Sequence, residues 1–597
     1  MQKNKIPHLL FCLAIVVVFF VTPAPLSLES NAWNFLGIFI AVILAVILQV
    51  MPLGAVCLIA IAVVALSGIT TPNSAIRSAQ IKAVTPLAKS ADPAYESKVN
   101  EAIYQAFKEA LIASDQKEKA LQIDASSNTL AQKSSALNAI YTEENSKNRA
   151  QRLKDETTIA ALSSVAMSVH PEQKVQETLN NAKSKLKAST GIKDALSGFS
   201  NSLIWLIVVS IIVARGVIKT GLGERLSYYF ISIFGKKTIG IAYSIALSET
   251  VLAPVTPSNT ARAGAIINPI VQAIARTFKS TPEDGTQSKI GTYLSLVNYQ
   301  ANPISSAMFI TATAPNPLVV DLVAKATNLD IQITWGQWAL GMLLPGLAAM
   351  ALMPLIVYFL SPPEIKETPN AREFAKSKLN ELGAMKRDEK IMLSVFAMLL
   401  LLWADAAGLI FGITLNATTI ALLGLTLVLV SGVLSFSEIL AEKTAWNTLV
   451  WFSALVMMAT MLGKLGVTAF LAQGLENIGT HLGLGGFSIM IFLSVAFLYA
   501  HYFFASTTAH ITAMFFVFYS AGLALGAPPL LYAFIMLTAG NVMMTLTHYA
   551  TGTAPVIFGT GYVSLNKWWG VGFVMSVVNM IVMISVGLIW WKILGFY

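Results

Sequence analysis

Two short runs of this chain hold hydrogen-bonding side chains in the middle of apolar sequence. Ser258-Asn259-Thr260-Ala261-Arg262 and Ser506-Thr507-Thr508-Ala509-His510 share one form, three small polar residues followed by alanine and a base. They stand 248 residues apart (506 − 258). A second pair, Thr311-Ala312-Thr313-Ala314-Pro315 and Thr551-Gly552-Thr553-Ala554-Pro555, stands 240 apart (551 − 311). Hydroxyls and a carboxamide are neutral donors. A half-helix beginning beside them adds free N–H groups and the positive end of its dipole, which suits carboxylates. This chemistry holds an anion and breaks no bond. No nucleophile–base–acid set, metal cluster or nucleotide loop is visible, so no enzyme is expected.

The elements that must position these runs are unusual. Residues 238–278 and 484–524 are apolar segments of about 41 residues, interrupted midway by polar residues. In the first, Pro254 and Pro257 remove backbone donors. Each segment is expected to enter and leave the membrane on one side, as a re-entrant helical hairpin. Irregular backbone at that depth is tolerated only when buried in protein or lining a wet cavity. Each hairpin is followed about 45 to 53 residues later by a helix broken at T-x-T-A-P (311–315 and 551–555; Gly at 552). An odd number of spans lies between them, so the hairpins open to opposite sides. That is an inverted-topology repeat with its site near the midplane, where the four breaks meet. The expected substrate-binding residues are Ser258, Asn259, Thr260, Thr313, Pro315, Ser506, Thr507, Thr508, Thr553 and Pro555.

Composition agrees with a polytopic all-α membrane protein. Of 597 residues, 55% are hydrophobic and 12% charged, with a mean hydropathy of +0.66; soluble proteins carry about 25% charged residues. The net charge of +9 sits in loops between apolar segments, which reads as topology and not as nucleic-acid binding. Cys12 and Cys57 both lie in apolar sequence, leaving no disulfide framework or thiolate metal site. Residues 6–21 read as a membrane helix, since Pro23 and Pro25 follow in place of a small-residue cleavage site. Further spans are expected near 33–50, 53–69, 201–219, 290–324, 335–360, 391–412, 415–434, 446–463, 529–560 and 570–594. With Lys3 and Lys5 inside, the basic loops 220–237 and 361–390 also fall inside, giving eleven spans and an outer C-terminus.

The resulting division is an N-terminal membrane helix (1–30), first-repeat scaffold helices (31–70), a polar insert (71–197), the rest of the first repeat (198–360), a cytoplasmic linker (361–390) and the second repeat (391–597). The insert falls outside the membrane. Its stretches 95–113 and 129–159 favour helix, and its sparse apolar positions suit a small bundle or an elongated helical hairpin.

The run from Pro254 to Gly264, the run Ala505 to His510, and Tyr549 to Pro555 resemble the divalent-anion:sodium symporter family. Within it they are most similar to the exchanger branch of plastid 2-oxoglutarate/malate translocators and bacterial citrate/succinate and tartrate/succinate antiporters. The similarity covers roughly 31–70 and 200–597 and leaves out the insert. It implies an elevator-type transporter, usually a homodimer, with a scaffold and a moving transport domain. In sodium-coupled members both hairpins carry Ser-Asn-Thr, whose side chains reach substrate carboxylates. Ser258, Asn259 and Thr260 match; Thr507 stands where the second asparagine would be.

The functional expectation is a secondary carrier in a bacterial cytoplasmic (inner) membrane. It exchanges small di- or tricarboxylates of the succinate, malate, 2-oxoglutarate or citrate class without sodium. Arg262 and His510, each four residues after the hairpin serine, are expected as charge-compensating groups that make exchange obligatory. One alternative is sodium-coupled dicarboxylate symport, the only reading that calls for an ion as cofactor. Another, from a different class, is a membrane sensor using the outer insert. Membrane lipid and a second copy are the expected partners. Glu249 reads as a structural partner of a basic residue, Asp405 as interfacial, and His548, His481 and Lys464 as ordinary. Trp568, Trp569, Trp590 and Trp591 read as interface anchors.

Overall fold

A computed structural model describes residues 5–25, 28–48, 50–113, 116–126, 128–145, 147–327, 330–470 and 486–597. His481, Lys3 and the first two residues of the expected 484–524 hairpin lie outside them. The described residues are helices and their connections, with one isolated antiparallel bridge between Lys237 and Glu367. They form two compact units. One comprises residues 1–15, 39–58 and 197–597; the other comprises 16–38 and 59–196.

In the larger unit, six helices are long and apolar enough to cross a membrane: Ser202–Thr220, Trp335–Leu360, Lys443–Lys464, Gly486–Phe503, Thr507–Ala524 and Leu565–Ile593. Their ends follow local chemistry. Asn201 caps Ser202–Thr220 by accepting from the Leu203 N–H at 2.9 Å, and Gly221, with φ +76°, ends it. A reciprocal Thr334/Gln337 capping box starts Trp335–Leu360. Helix Gly291–Met308 is buried along its whole length. It packs between its neighbours, with Tyr293 donating to the Pro354 carbonyl at 2.9 Å.

The expected interruptions are where the helices stop. Thr238–Leu252 ends before the two prolines, and the chain resumes as a widened π-helical stretch, Thr260–Ile267, then Asn268–Thr277. The second segment mirrors it: Gly486–Ala500, a tight turn at His501–Phe503, then Thr507–His510, a π-helical Ile511–Phe515 and Phe516–Ala524. The T-x-T-A-P runs separate Gly291–Met308 from Pro315–Ala326 and Pro529–Val542 from Thr553–Phe558.

Three expectations need correction. The span expected at 391–412 ends at Trp403, because Asp405 takes a left-handed conformation (φ +63°) before the separate short helix Ala406–Phe411. The basic stretches 220–237 and 361–390 are not plain loops. They contain helices Leu222–Phe234 and Pro369–Leu382, which pack together with Tyr228 edge-on to Phe374; Leu222 and Ile231 supply the buried stripe. Trp568 and Trp591 are fully buried, not interfacial. Trp568 lies against Tyr299, and the Trp591 indole donates to the Gly341 carbonyl at 2.8 Å.

The smaller unit holds the insert as six helices: Asn73–Ala91, Tyr95–Ile112, Lys117–Ala125, Leu130–Asn145, Lys147–Met167 and Glu172–Leu196. Its apolar residues are few and collect into two small cores. One is centred on Phe107, Leu111 and Leu137, the other on Val84, Leu162 and Val175. Arg77 of Asn73–Ala91 reaches Asp155 of Lys147–Met167 at 3.4 Å and Glu29 at 3.6 Å.

Candidate functional site

The two hairpin serines do the same local work. Ser258 Oγ accepts from the Ala261 N–H at 3.2 Å and Ser506 Oγ from the Ala509 N–H at 3.4 Å. Each thus caps the half-helix that comes after it. Asn259 adds a second cap, its Oδ1 accepting from the Thr260 N–H at 3.0 Å. The cap frees its Nδ2 to reach across to Thr551 Oγ1 at 2.8 Å. Thr260 and Thr553 approach each other hydroxyl to hydroxyl at 3.3 Å. Thr507 donates to the Ala550 carbonyl at 3.1 Å. A hairpin tip and a helix break from opposite halves of the chain are therefore tied directly.

Between these ends lies a cavity of about 150 Å³. All four breaks line it, through Pro257, Ser258 and Asn259; Thr313, Ala314 and Pro315; Ser506, Thr507 and Thr508; and Thr551 and Gly552. Seven of the ten expected substrate-binding residues are among them. Thr260, Thr553 and Pro555 are not: the first two face one another, and Pro555 lies on the exposed side of its short helix. Ile211 from Ser202–Thr220, with Thr444 and Thr448 from Lys443–Lys464, completes the lining. Sequence reading missed these three, because they belong to ordinary apolar helices with no repeat partner. No lining residue carries a charge.

The two bases do not line the cavity. Arg262 is fully buried one layer behind it and all five of its donors are occupied. Nε meets Glu249 Oε2 at 2.7 Å. Nη1 meets the carbonyls of Thr256 and Ala312 at 2.8 and 3.0 Å. Nη2 meets the Ser305 and Ser306 hydroxyls at 3.1 and 3.0 Å. One guanidinium thus fastens the first hairpin's break to the first helix break. Its charge is matched by Glu249, which also accepts from Asn302 and Ser305. The expected uncompensated cation is absent, because a bare charge at this depth costs far more than a paired one.

His510 is likewise buried, between Phe497 and Phe504, and its Nδ1 lies 3.0 Å from Nδ1 of His501. His501 Nε2 faces the Ala550 carbonyl at 2.9 Å and so carries a proton. With both rings neutral, His501 accepts at Nδ1 from His510, and His510 Nε2 is left as a buried acceptor without a partner among the described residues.

The two broken helices are also joined to each other. Asn541 Nδ2 donates to Asn316 Oδ1 at 3.0 Å, while Asn316 Nδ2 satisfies the carbonyls of Ser306 and Phe309 at 2.7 and 3.0 Å. These carbonyls are the ones the first break leaves without helical partners. His548 accepts from the Trp569 indole at 3.1 Å, a structural contact. Lys464 and Asp405 are exposed.

A family described as the sodium:sulfate symporter transmembrane region matches residues 3–111 and 156–597. The chain is 44% identical over 417 residues to the putative malate transporter YflS of Bacillus subtilis, covering 69% of this chain and 84% of that protein. It is 42% identical over 406 residues to the chloroplastic dicarboxylate transporter 1 of Spinacia oleracea, covering 68% and 70%. It is 36% identical over 401 residues to the inner membrane protein YbhI of Escherichia coli, covering 67% and 82%. With its apolar helices and paired breaks, this chain is an integral membrane transporter and belongs to the sodium:sulfate symporter transmembrane family, the divalent-anion:sodium symporters.

Proposed function

We propose that the chain is a secondary carrier that exchanges one dicarboxylate for another, independently of sodium. The observation that carries the substrate class is the neutral cavity on which all four chain breaks converge, and exchange rests on the likeness of the break motifs to the exchanger branch. Its hydroxyls, the Asn259 amide and the half-helix ends offer donors to both carboxylates of a small dianion. The names of the relatives support the substrate class.

Sodium independence has its own support. Sodium is not needed to hold the first hairpin tip to the first helix break, because Arg262 reaches the Thr256 and Ala312 carbonyls there with a tethered cation. On the second side Thr507 replaces the asparagine of the sodium-coupled pattern. The finer arrangement belongs to the same reading. Residues 238–278 and 484–524 are re-entrant hairpins of an inverted repeat in an eleven-span chain, with the N-terminus cytoplasmic and the insert and C-terminus outside. The hairpins and broken helices move together against a scaffold, as an elevator, in a homodimer of a bacterial inner membrane.

Counterflow in proteoliposomes tests it. Labelled malate or succinate should enter vesicles preloaded with unlabelled dicarboxylate at the same rate with and without sodium. Uptake into empty vesicles driven by a sodium gradient would assign symport instead.

A further inference from the structure

Thr448 has a hydroxyl whose freedom the fold does not explain. The residue is 4% exposed and lines the cavity. A threonine inside a helix ordinarily returns its hydroxyl to the carbonyl one turn back. Thr460 on the same helix does so, to Val456 at 2.7 Å, and Thr426 does so, to Leu422 at 2.8 Å. Thr448 makes no such bond, and its hydroxyl meets no protein partner among the described residues. Thr444, one turn earlier on the same helix, lines the cavity as well, and Ile211 supplies an apolar patch from Ser202–Thr220.

This wall differs chemically from the four breaks. The breaks present hydroxyls too, but Ser258 and Ser506 cap half-helices, Thr507 donates to the Ala550 carbonyl and Thr551 accepts from Asn259; beside them stand N–H groups, an amide and helix ends, donors suited to carboxylates. A threonine hydroxyl donates and accepts at once. A carboxylate uses only the donor half, whereas a substrate hydroxyl pairs with both. Ile211 in the same wall suits the methylene of a short carbon chain.

We propose that Thr448 is a specificity-determining residue that reads a hydroxyl on the carbon chain of the bound acid, so that the site prefers 2-hydroxy dicarboxylates to unsubstituted acids of the same length. The proposal rests on the dicarboxylate-carrier reading above. An unsubstituted acid that displaces cavity water leaves the Thr448 hydroxyl unpaired, and a site built to pair a hydroxyl penalises its absence.

The test is equilibrium binding of L-malate and succinate to the purified full chain, beside Thr448→Val, Thr448→Ser and Asn259→Ala. Wild type should favour malate. Thr448→Val should weaken malate roughly tenfold and leave succinate nearly unchanged, while Thr448→Ser restores the preference. Asn259→Ala should weaken both acids alike, since Asn259 stands among the break residues proposed to hold the carboxylates. Equal binding of the two acids by wild type, or an unchanged ratio in Thr448→Val, overturns the proposal alone. Failure of wild type to bind either acid overturns the carrier reading on which it rests. Thermal melting of each variant confirms that a changed ratio is not a changed fold.

Discussion

Arg262 and Glu249 meet at 2.7 Å with both side chains fully buried, and the pair sits where the first hairpin's two arms and the first broken helix converge. Removing one partner leaves the other charge buried and unmatched. Arg262→Met or Glu249→Gln should therefore destabilise the folded chain by about 3–5 kcal/mol, seen as a lowered melting temperature with loss of counterflow. The double variant should melt higher than the Glu249→Gln single, because it leaves no buried arginine without its carboxylate. If both singles melted like wild type, the pair would not be fastening the hairpin.

Substitutions in the cavity should act first on binding. Asn259→Ala and Thr508→Ala each remove a donor beside a charged ligand. Each should cost about 1–3 kcal/mol of carboxylate affinity; Thr508→Ala should leave melting nearly unchanged, whereas Asn259→Ala also loses its cap on Thr260 and its bond to Thr551 and should melt lower. Calorimetric titration measures both, and unchanged affinity in two folded variants would dissolve the shared site.

The polar insert should be peripheral to transport. None of its residues belongs to the cavity lining, and its two small cores are built from its own helices. A chain lacking residues 75–195, closed by a short flexible linker, should retain measurable counterflow. Complete loss in a correctly inserted, folded protein would give the insert a transport role.

The insert also carries an acid-sensitive joint. The Lys108 ammonium, at 2.6 Å, and the Tyr104 hydroxyl hold the Asp124 carboxyl below its ordinary value of 3.8. A depressed folded-state value adds stability that is present above the ordinary value and lost as pH falls toward the folded one. Hydrogen-exchange protection of Tyr95–Ile112 and Lys117–Ala125, corrected for intrinsic rates, should fall as pH drops below 3.8. Asp124→Asn should be less protected at neutral pH and should lack that transition.

Sequence made the interruptions legible because they are local. Pro254 and Pro257 three residues apart, and the threonine–alanine–proline runs, coincide with breaks, whereas the widely spaced Pro345 and Pro354 sit inside an unbroken helix; Ser258 and Ser506 cap the half-helices that resume after the breaks. Contacts made across the chain were not legible. Nothing near residue 448 distinguishes its threonine from that of residue 460, and only packing against the breaks turns one toward the cavity. Arg262 could be placed beside the hairpin tip by counting, yet the direction of its guanidinium depends on Glu249, Ser305 and the Ala312 carbonyl, which lie 13, 43 and 50 residues away. Trp568 failed for the same reason: its neighbours Lys567 and Trp569 look interfacial, but Tyr299 takes its ring into the interior.

The uncharged cavity lining has a kinetic consequence. A carrier is useful only if its cargo leaves, and residence time lengthens steeply with the depth of the binding well. Two fixed guanidinium groups facing a dianion would make a trap, strong in a medium of low dielectric and slow to empty. Oriented hydroxyls and helix ends make a shallower well that water can refill as the anion departs. With its one buried arginine neutralised behind the wall, the site is built for turnover more than for tightness. Its affinity should also vary little with ionic strength, because no bare charge in the lining is there to be screened.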